Sequence, residues 1–315
     1  MRTLRLALLL LATAAFSFAS EPAAKRREGG GPTKAFIPEG VEIIHDVEIG
    51  TGGGHALHAE IARPKEPPKS PMPAVLWIHG GGWSGGSHKG NRAMMLATHG
   101  YFTASVEYRL SGEAKWPAQI EDCKLAVRWL RANAAKYNVN PDRIGCWGSS
   151  AGGHLVAFLG VSGGKAEFEG KGGHEGVSSR VQAVVDYCGP ADMTEGSLGI
   201  QGAKDERESP ALLGLVGAPF KEKPDIWKQI SPIVYVSSDD APILIVHGDK
   251  DTTVPILHSE RFEAALKKVG VPVEFIRVKG GGHGLKESSG EPPAEPDSRA
   301  LDAAVIAFFD KHLKK

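Results

Sequence analysis

Apolar and polar residues recur along this chain with two different periods. "VEIIHDVEI" and "ALHAEIARP" are β-rich runs separated by a glycine turn at residues 52–54, which predicts two early strands. "PAVLWIHG" and "YFTASVEYRL" predict two more. From Pro117 the spacing becomes helical. Ile120, Cys123, Val127, Leu130 and Ala134 share one face, and Pro117 suits the first turn. "RIGCWG" returns to strand, and "AGGHLVAFLG" reads as a buried helix. "VQAVVDYCG" and "PILIVHG" are almost continuously apolar, as strands covered on both faces of a parallel sheet must be. Residues 255–269 predict a helix with Phe262, Ala265, Leu266 and Val269 facing inward and Gly270 at its C-terminal cap. "VPVEFIRV" predicts a last strand, and a helix from about Asp297 buries Leu301, Ala304, Val305 and Phe308.

This alternation predicts an α/β fold with a mostly parallel central sheet and helices on both faces. Most crossovers are short. Residues 189–240 are the exception, with turn signals, the apolar piece "ALLGLVG" and scattered prolines. The part at about 190–236 is therefore expected to form a lid-like, substrate-binding excursion. There is no internal repeat.

The N terminus changes the picture of where the protein works. Arg2 and Arg5 precede the apolar run "LALLLLATAAF", and Ser17-Phe18-Ala19 fits a small-x-small cleavage site. Residues 1–19 are thus expected to be a signal peptide, 20–35 a polar, Gly-rich lead-in, and 36–315 the folded domain of a secreted or periplasmic protein. The alternative is an uncut membrane anchor, but the run is short for a bilayer. Loss of residues 1–19 leaves 35 basic against 37 acidic side chains, a net charge of −2. That argues against a nucleic-acid partner. The three cysteines, Cys123, Cys146 and Cys188, fall in expected buried elements and read as small hydrophobes. His55 and His58 form an HxxH without further ligands nearby, so no metal site is expected.

The chemistry begins at "GSSAG". Gly148, Ser150 and Gly152 make a Gly-x-Ser-x-Gly turn between a strand and a helix, the setting in which that pattern exposes a nucleophilic serine. Serine needs a base, and "VEFIRVKGGGHG" offers His283 after a late strand. An acid must orient the imidazole. "HGDKDTTVP" offers Asp249 and Asp251. Asp251 sits deeper in the loop and fits best, Asp249 suits a turn-tying role, and Asp192 in "GPADM" is a third candidate. The order Ser150, Asp251, His283 is that of α/β-hydrolases. Attack on a carbonyl also needs N–H groups aimed at the developing oxyanion. "HGGGW" supplies Gly81 and Gly82, to be joined by the N–H of Ala151. His79 would brace this loop. Trp83 and Tyr108 are the expected substrate contacts, with Trp83 either walling the acyl pocket or packing into the core. Asp122 reads as holding loops rather than touching substrate. Trp116, Trp147 and Trp227 would line a sugar site or fill the core.

These segments resemble a known family. "VLWIHGGGWSGG", "SVEYRLS", "WPAQIEDCKLAVRWLRANAAKYNVNPDRIGCWGSSAGGHLVAFLG", "SPIVYVSSDDAPILIVHGDKDTTVP" and "GGGHG" are similar to α/β-hydrolases of the esterase/lipase superfamily. The likeness is to the bifunctional acetyl-esterase/feruloyl-esterase-like group, from about residue 39 to the C terminus. The resemblance implies hydrolysis of small acyl esters, often on plant-polysaccharide side chains, without a cofactor. It places nucleophile, acid and base on Ser150, Asp251 and His283. Residues 164–176 and 193–220 carry no assignable motif. Two other readings stay open: a prolyl-oligopeptidase-like serine peptidase, and a catalytically silent binding module on a hydrolase fold.

Overall fold

Eight strands form one sheet in the structure, a computed structural model that describes residues 37–200 and 209–314. The chain divides into two units, Met1–Ile37 and Pro38–Lys315, and every described element belongs to the second. The expected signal peptide at 1–19 and the lead-in at 20–35 lie outside the described residues.

The elements run β1 (Val41–Gly52), β2 (His55–Pro64), β3 (Met72–Ile78), β4 (Phe102–Val106), α1 (Ala118–Ala132), β5 (Val139–Ser149), α2 (Ala151–Val161) and β6 (Ala183–Tyr187). There follow α3 (Pro210–Val216), α4 (Pro224–Gln229), β7 (Ile243–Gly248), α5 (Leu257–Lys268), β8 (Val273–Val278) and α6 (Ser298–Leu313). Strand order is β1-β2-β4-β3-β5-β6-β7-β8. The pairs β1/β2 and β2/β4 are antiparallel, and all the others are parallel. Parallel strands end on the same edge, so the loops after β3, β5, β6, β7 and β8 gather there.

Period-two alternation explains why the central strands read as unbroken apolar runs. In β3, Ala74, Leu76 and Ile78 enter the core beneath α1, α2 and α5, whereas Val75 and Trp77 enter the core beneath α6. Trp116, Trp147 and Trp227 are all buried in these cores. The three cysteines are buried and unbridged. Asp297 caps α6 by accepting from the Ala300 N–H at 2.8 Å. No helix among the described residues is long and apolar enough to cross a membrane.

Three boundaries differ from the sequence reading. β4 stops at Val106, because its ladder with β3 ends at Ile78↔Val106 and the chain then leaves the sheet toward His79. β5 begins at Val139, well before "RIGCWG", because Val139 finds a partner in Met72. Pro117 precedes α1 rather than entering its first turn.

The insertion at 164–176 has a structural anchor that its sequence did not disclose. Glu169 receives Lys124 Nζ at 3.0 Å and Arg128 Nη1 at 2.8 Å from α1. Ser179 Oγ donates to the same carboxylate at 2.6 Å. Burial by itself would raise the Glu169 carboxyl. The Ser179 hydroxyl and the two cations outweigh it and hold the group below its ordinary range. Lys124 is fully buried, so removing the carboxylate strands a cation in the interior. Glu169→Gln is therefore expected to cost about 3 kcal/mol of stability in urea unfolding, with turnover per folded molecule unchanged. Because the folded-state value is depressed, this contribution is present above the unfolded carboxyl range near about pH 4 and is lost as pH falls through the folded value.

Candidate active site

Ser150 sits between the end of β5 and the start of α2 with φ 57 and ψ −120. A left-handed φ on a non-glycine residue stores about 1–3 kcal/mol of strain. The neighbouring glycines make the turn possible. A Cβ on Gly148 would lie 2.3 Å from Gly152 O, and one on Gly152 would lie 2.1 Å from Ile78 O. Strand, turn and helix therefore pack backbone to backbone, which lifts Ser150 to the sheet edge.

There it meets His283. Ser150 Oγ lies 2.8 Å from His283 Nε2, and His283 Nδ1 lies 2.7 Å from Asp251 Oδ2. The carboxylate can only accept, so Nδ1 carries the proton and Nε2 presents its lone pair to the Ser150 hydroxyl. Asp251 Oδ1 is fixed separately by the N–H groups of Thr253 and Val254, at 2.8 and 2.9 Å. Burial opposes ionisation of Asp251. The hydrogen bonds from His247, His283 and Val254 overcome it and hold the carboxyl far below its usual range. Three residues separated by up to 133 positions thus form one relay. Gly248 lets the acid and histidine loops meet, since a Cβ there would strike Gly281 O at 2.1 Å.

The HGGGW loop lies against the same turn: a Cβ on Gly80 would be 3.3 Å from Ser150 Cβ. Ser84 and Gly85 donate back to Gly81 O, closing the loop on itself. Among the described residues, the N–H groups of Gly81, Gly82 and Ala151 donate to nothing. His79 Nδ1 donates to Gly80 O at 2.8 Å, and its ring stacks on Tyr108 at 4.3 Å. Burial lowers the His79 pKa, which keeps the bracing imidazole neutral.

Trp83 and Tyr108, expected at the substrate, are placed elsewhere. They are 3% and 1% exposed. Tyr108 Oη donates to His79 O at 3.0 Å, and Trp83 Nε1 donates to His154 Nδ1 at 3.2 Å. Tyr108, on the chain leaving β4, supports the loop from behind, whereas Trp83 belongs to the loop itself and is tied to α2 through His154. The surface beside the relay is instead a cleft of about 460 Å³ lined by Gly80, Arg92, Ser149, Tyr187, His283 and Lys286, among others.

The other candidates have structural partners. Asp249 accepts from the Gly280 N–H at 2.8 Å and ties the two loops together. Asp192 pairs with Arg261 at 2.9 Å. Asp122 grips Arg109 through both carboxylate oxygens at 2.8 Å, away from the relay. His58 faces Glu107 at 3.3 Å, while His55 is exposed. Donor atoms of Cys188, Asp251 and His283 all lie within 4.8 Å of one another. Burial pushes the Cys188 thiol up, and its S–H donates to His283 O at 3.3 Å. A protonated thiol is a poor metal ligand, and the other two groups already bind each other.

Two histidines went unnoticed in the sequence. His247 Nε2 lies 3.1 Å from Asp251 Oδ2 and 2.9 Å from Val254 O, and its Nδ1 lies 2.7 Å from Ser259 Oγ. His154 bridges Trp83 and Ile230 O. The available signal was a histidine inside an apolar run, "PILIVHG" or "AGGHLVAFLG", because a buried imidazole requires partners.

An eight-stranded sheet of this order, with a strained serine after β5 and an acid and a histidine after β7 and β8, defines an α/β-hydrolase. The BD-FAE family profile matches residues 60–266, and the chain belongs to that family. It is 32% identical over 284 residues to esterase LipQ of Mycobacterium tuberculosis, covering 89% of this chain and 64% of that protein. Among solved structures, it is similar to a truncated carbohydrate esterase from gut microbiota, with a TM-score of 0.75 and 33% identity over 87% of this chain and 97% of that one. It also matches a bifunctional GH43-CE protein of Bacteroides eggerthii, with a TM-score of 0.69 and 31% identity over 85% of this chain and 38% of that one. The chain thus spans less than two thirds of the length of LipQ.

Proposed function

We propose that this protein is an exported serine carboxylic-ester hydrolase acting on small acyl esters, acetyl or feruloyl groups on plant polysaccharides among them. One observation carries the reading: a strained serine, a correctly tautomerised histidine and an ionised aspartate in hydrogen-bond relay at 2.8 and 2.7 Å, beside N–H groups that have no partner among the described residues. Ser150 Oγ attacks the ester carbonyl as His283 Nε2 takes its proton. The carbonyl oxygen gains negative charge, which the Gly81, Gly82 and Ala151 N–H groups stabilise by about 3–4 kcal/mol per donor. His283 passes the proton to the leaving alcohol, whose C–O bond breaks to leave an acyl-enzyme. Water, deprotonated by His283, then releases the acid and restores Ser150. Asp251 keeps the imidazole oriented and stabilises it when charged.

The carbohydrate setting is supported by the similar gut-microbial carbohydrate esterase and by the polar cleft next to His283. Export rests on the arginine-led apolar run at the N terminus. A panel of p-nitrophenyl acetate, methyl ferulate, acetylated xylan and an aminoacyl anilide tests the substrate class, with a fluorophosphonate probe to label the serine. Acetyl or feruloyl release with Ser150 labelled is the expected result. Anilide cleavage without ester cleavage points to a peptidase, and absence of any adduct on Ser150 points to a silent module.

A further inference from the structure

We propose that His154 is a positioning residue that fixes the oxyanion loop against the Ser150 helix through the Trp83 indole. The inference rests on the reading of Ser150 as nucleophile. His154 lies one turn into α2, and its own N–H donates to Ser150 O at 2.9 Å. Its ring is buried, with Trp83 Nε1 at 3.2 Å from Nδ1 and Ile230 O at 2.7 Å from Nε2. An indole N–H can only donate, and a carbonyl oxygen can only accept. The ring is therefore neutral, with its proton on Nε2, and the hydrogen bonds run from Trp83 through His154 to Ile230. Burial supports this by pushing the imidazole down to about 4. The two rings meet edge to face at 5.3 Å.

The anchor matters because of where Trp83 sits. Its φ is 58, a strained value for a bulky residue, and it directly follows Gly81 and Gly82 with φ 117 and 58. A loop strained in this way keeps its shape only while something outside it over-determines that shape. The His154 acceptor supplies this hold from the same helix that carries Ser150. Losing it lets Trp83 relax and moves the Gly81 and Gly82 N–H groups away from the developing oxyanion. Those donors act when charge develops, so the loss falls on kcat and not on KM. The second arm, to Ile230 O, ties α2 to the end of α4 and affects stability.

Isosteres separate positioning from simple packing. Asn in place of His154 keeps an acceptor near Nδ1 but loses the donor to Ile230. Gln keeps a donor near Nε2 but loses the acceptor for Trp83. Packing alone ranks Gln above Asn, because Gln fills more of the space, whereas positioning ranks Asn above Gln. Kinetics on p-nitrophenyl acetate and thermal melts would be measured for full-length His154→Asn, His154→Gln, Trp83→Phe and the double variant Trp83→Phe/His154→Gln. We expect His154→Gln and Trp83→Phe each to lower kcat about 10- to 100-fold with KM within about threefold. His154→Asn should stay within about threefold of the parent in kcat while melting earlier. The double variant should be no slower than the slower single, since both remove one hydrogen bond. A His154→Asn variant as slow as His154→Gln, multiplying losses in the double, or parental kcat in Trp83→Phe overturns the proposal. Should His154→Gln not fold, Trp83→Phe and His154→Asn still decide it. Ser150→Ala, run alongside, separates the two levels: if that variant retains parental turnover, the underlying functional reading fails instead.

Discussion

Ser150→Ala is expected to lower kcat on p-nitrophenyl acetate by about 10⁵-fold or more, equivalent to about 7 kcal/mol of transition-state stabilisation. The hydroxyl is the only group in the relay that forms a bond to the substrate, and it sits 2.8 Å from the base that activates it. Residual activity over water should persist, because the backbone donors of the oxyanion loop remain. Stability should barely change, as a single partly exposed hydrogen bond is worth about 1 kcal/mol. The strain at φ 57 stays in the alanine variant. Ser150→Gly should remove that strain and melt above Ser150→Ala while being equally inert. Parental hydrolysis by either variant would sink the assignment.

Asp251→Asn should lower kcat by about 10⁴-fold, and the surroundings of the carboxylate explain why so small a change does so much. Oδ1 accepts from the Thr253 and Val254 N–H groups, so the amide oxygen of Asn must take that position. The NH₂ group is then left where Oδ2 was, facing His283 Nδ1 and the donating Nε2 of His247. Toward His283 it donates, which forces the imidazole proton onto Nε2, where it faces Ser150 as a second donor. Toward His247 it sets donor against donor in a buried site, so the variant should also melt earlier. Adding His247→Asn should separate the two effects, since it removes the donor at the Nε2 position but leaves the wrong tautomer. A fall in kcat below about tenfold for Asp251→Asn would mean that the tautomer is set by some other group.

Much of this was legible beforehand, and the reasons are local. Strand–turn–helix context around Ser150 is a sequence property, because Gly148 and Gly152 must be small for the turn to close. The two-faced burial of β3, β6 and β7 was visible as apolar runs. Asp251 was separable from Asp249 by loop depth, and the contacts divide them in the same way: one faces His283, the other Gly280. Tyr108 was misplaced, and Trp83 left open between the acyl pocket and the core, because an aromatic next to a reactive loop gives no sign of which way it points. For Tyr108 the direction was set by β4 ending at Val106, which depends on where its partner β3 ends, and for Trp83 by the His154 acceptor on α2. The role of 164–176 was equally hidden, as Glu169 meets Lys124 and Arg128 across 45 and 41 residues.

The sequence by itself determined the kinds of group available and their order along the chain: a serine on a glycine turn, an acid and a histidine each after an apolar strand, and a glycine loop able to expose its N–H groups. Those follow from backbone sterics and side-chain period, which act over a few residues. Only the tertiary structure decided which atoms touch, that His283 carries its proton on Nδ1, that His247 and His154 stand behind the acid and the oxyanion loop, and that two expected substrate aromatics are supports. Hydrogen-bond polarity is fixed by partners, and here the partners come from strands and loops that only the folded sheet brings to one edge.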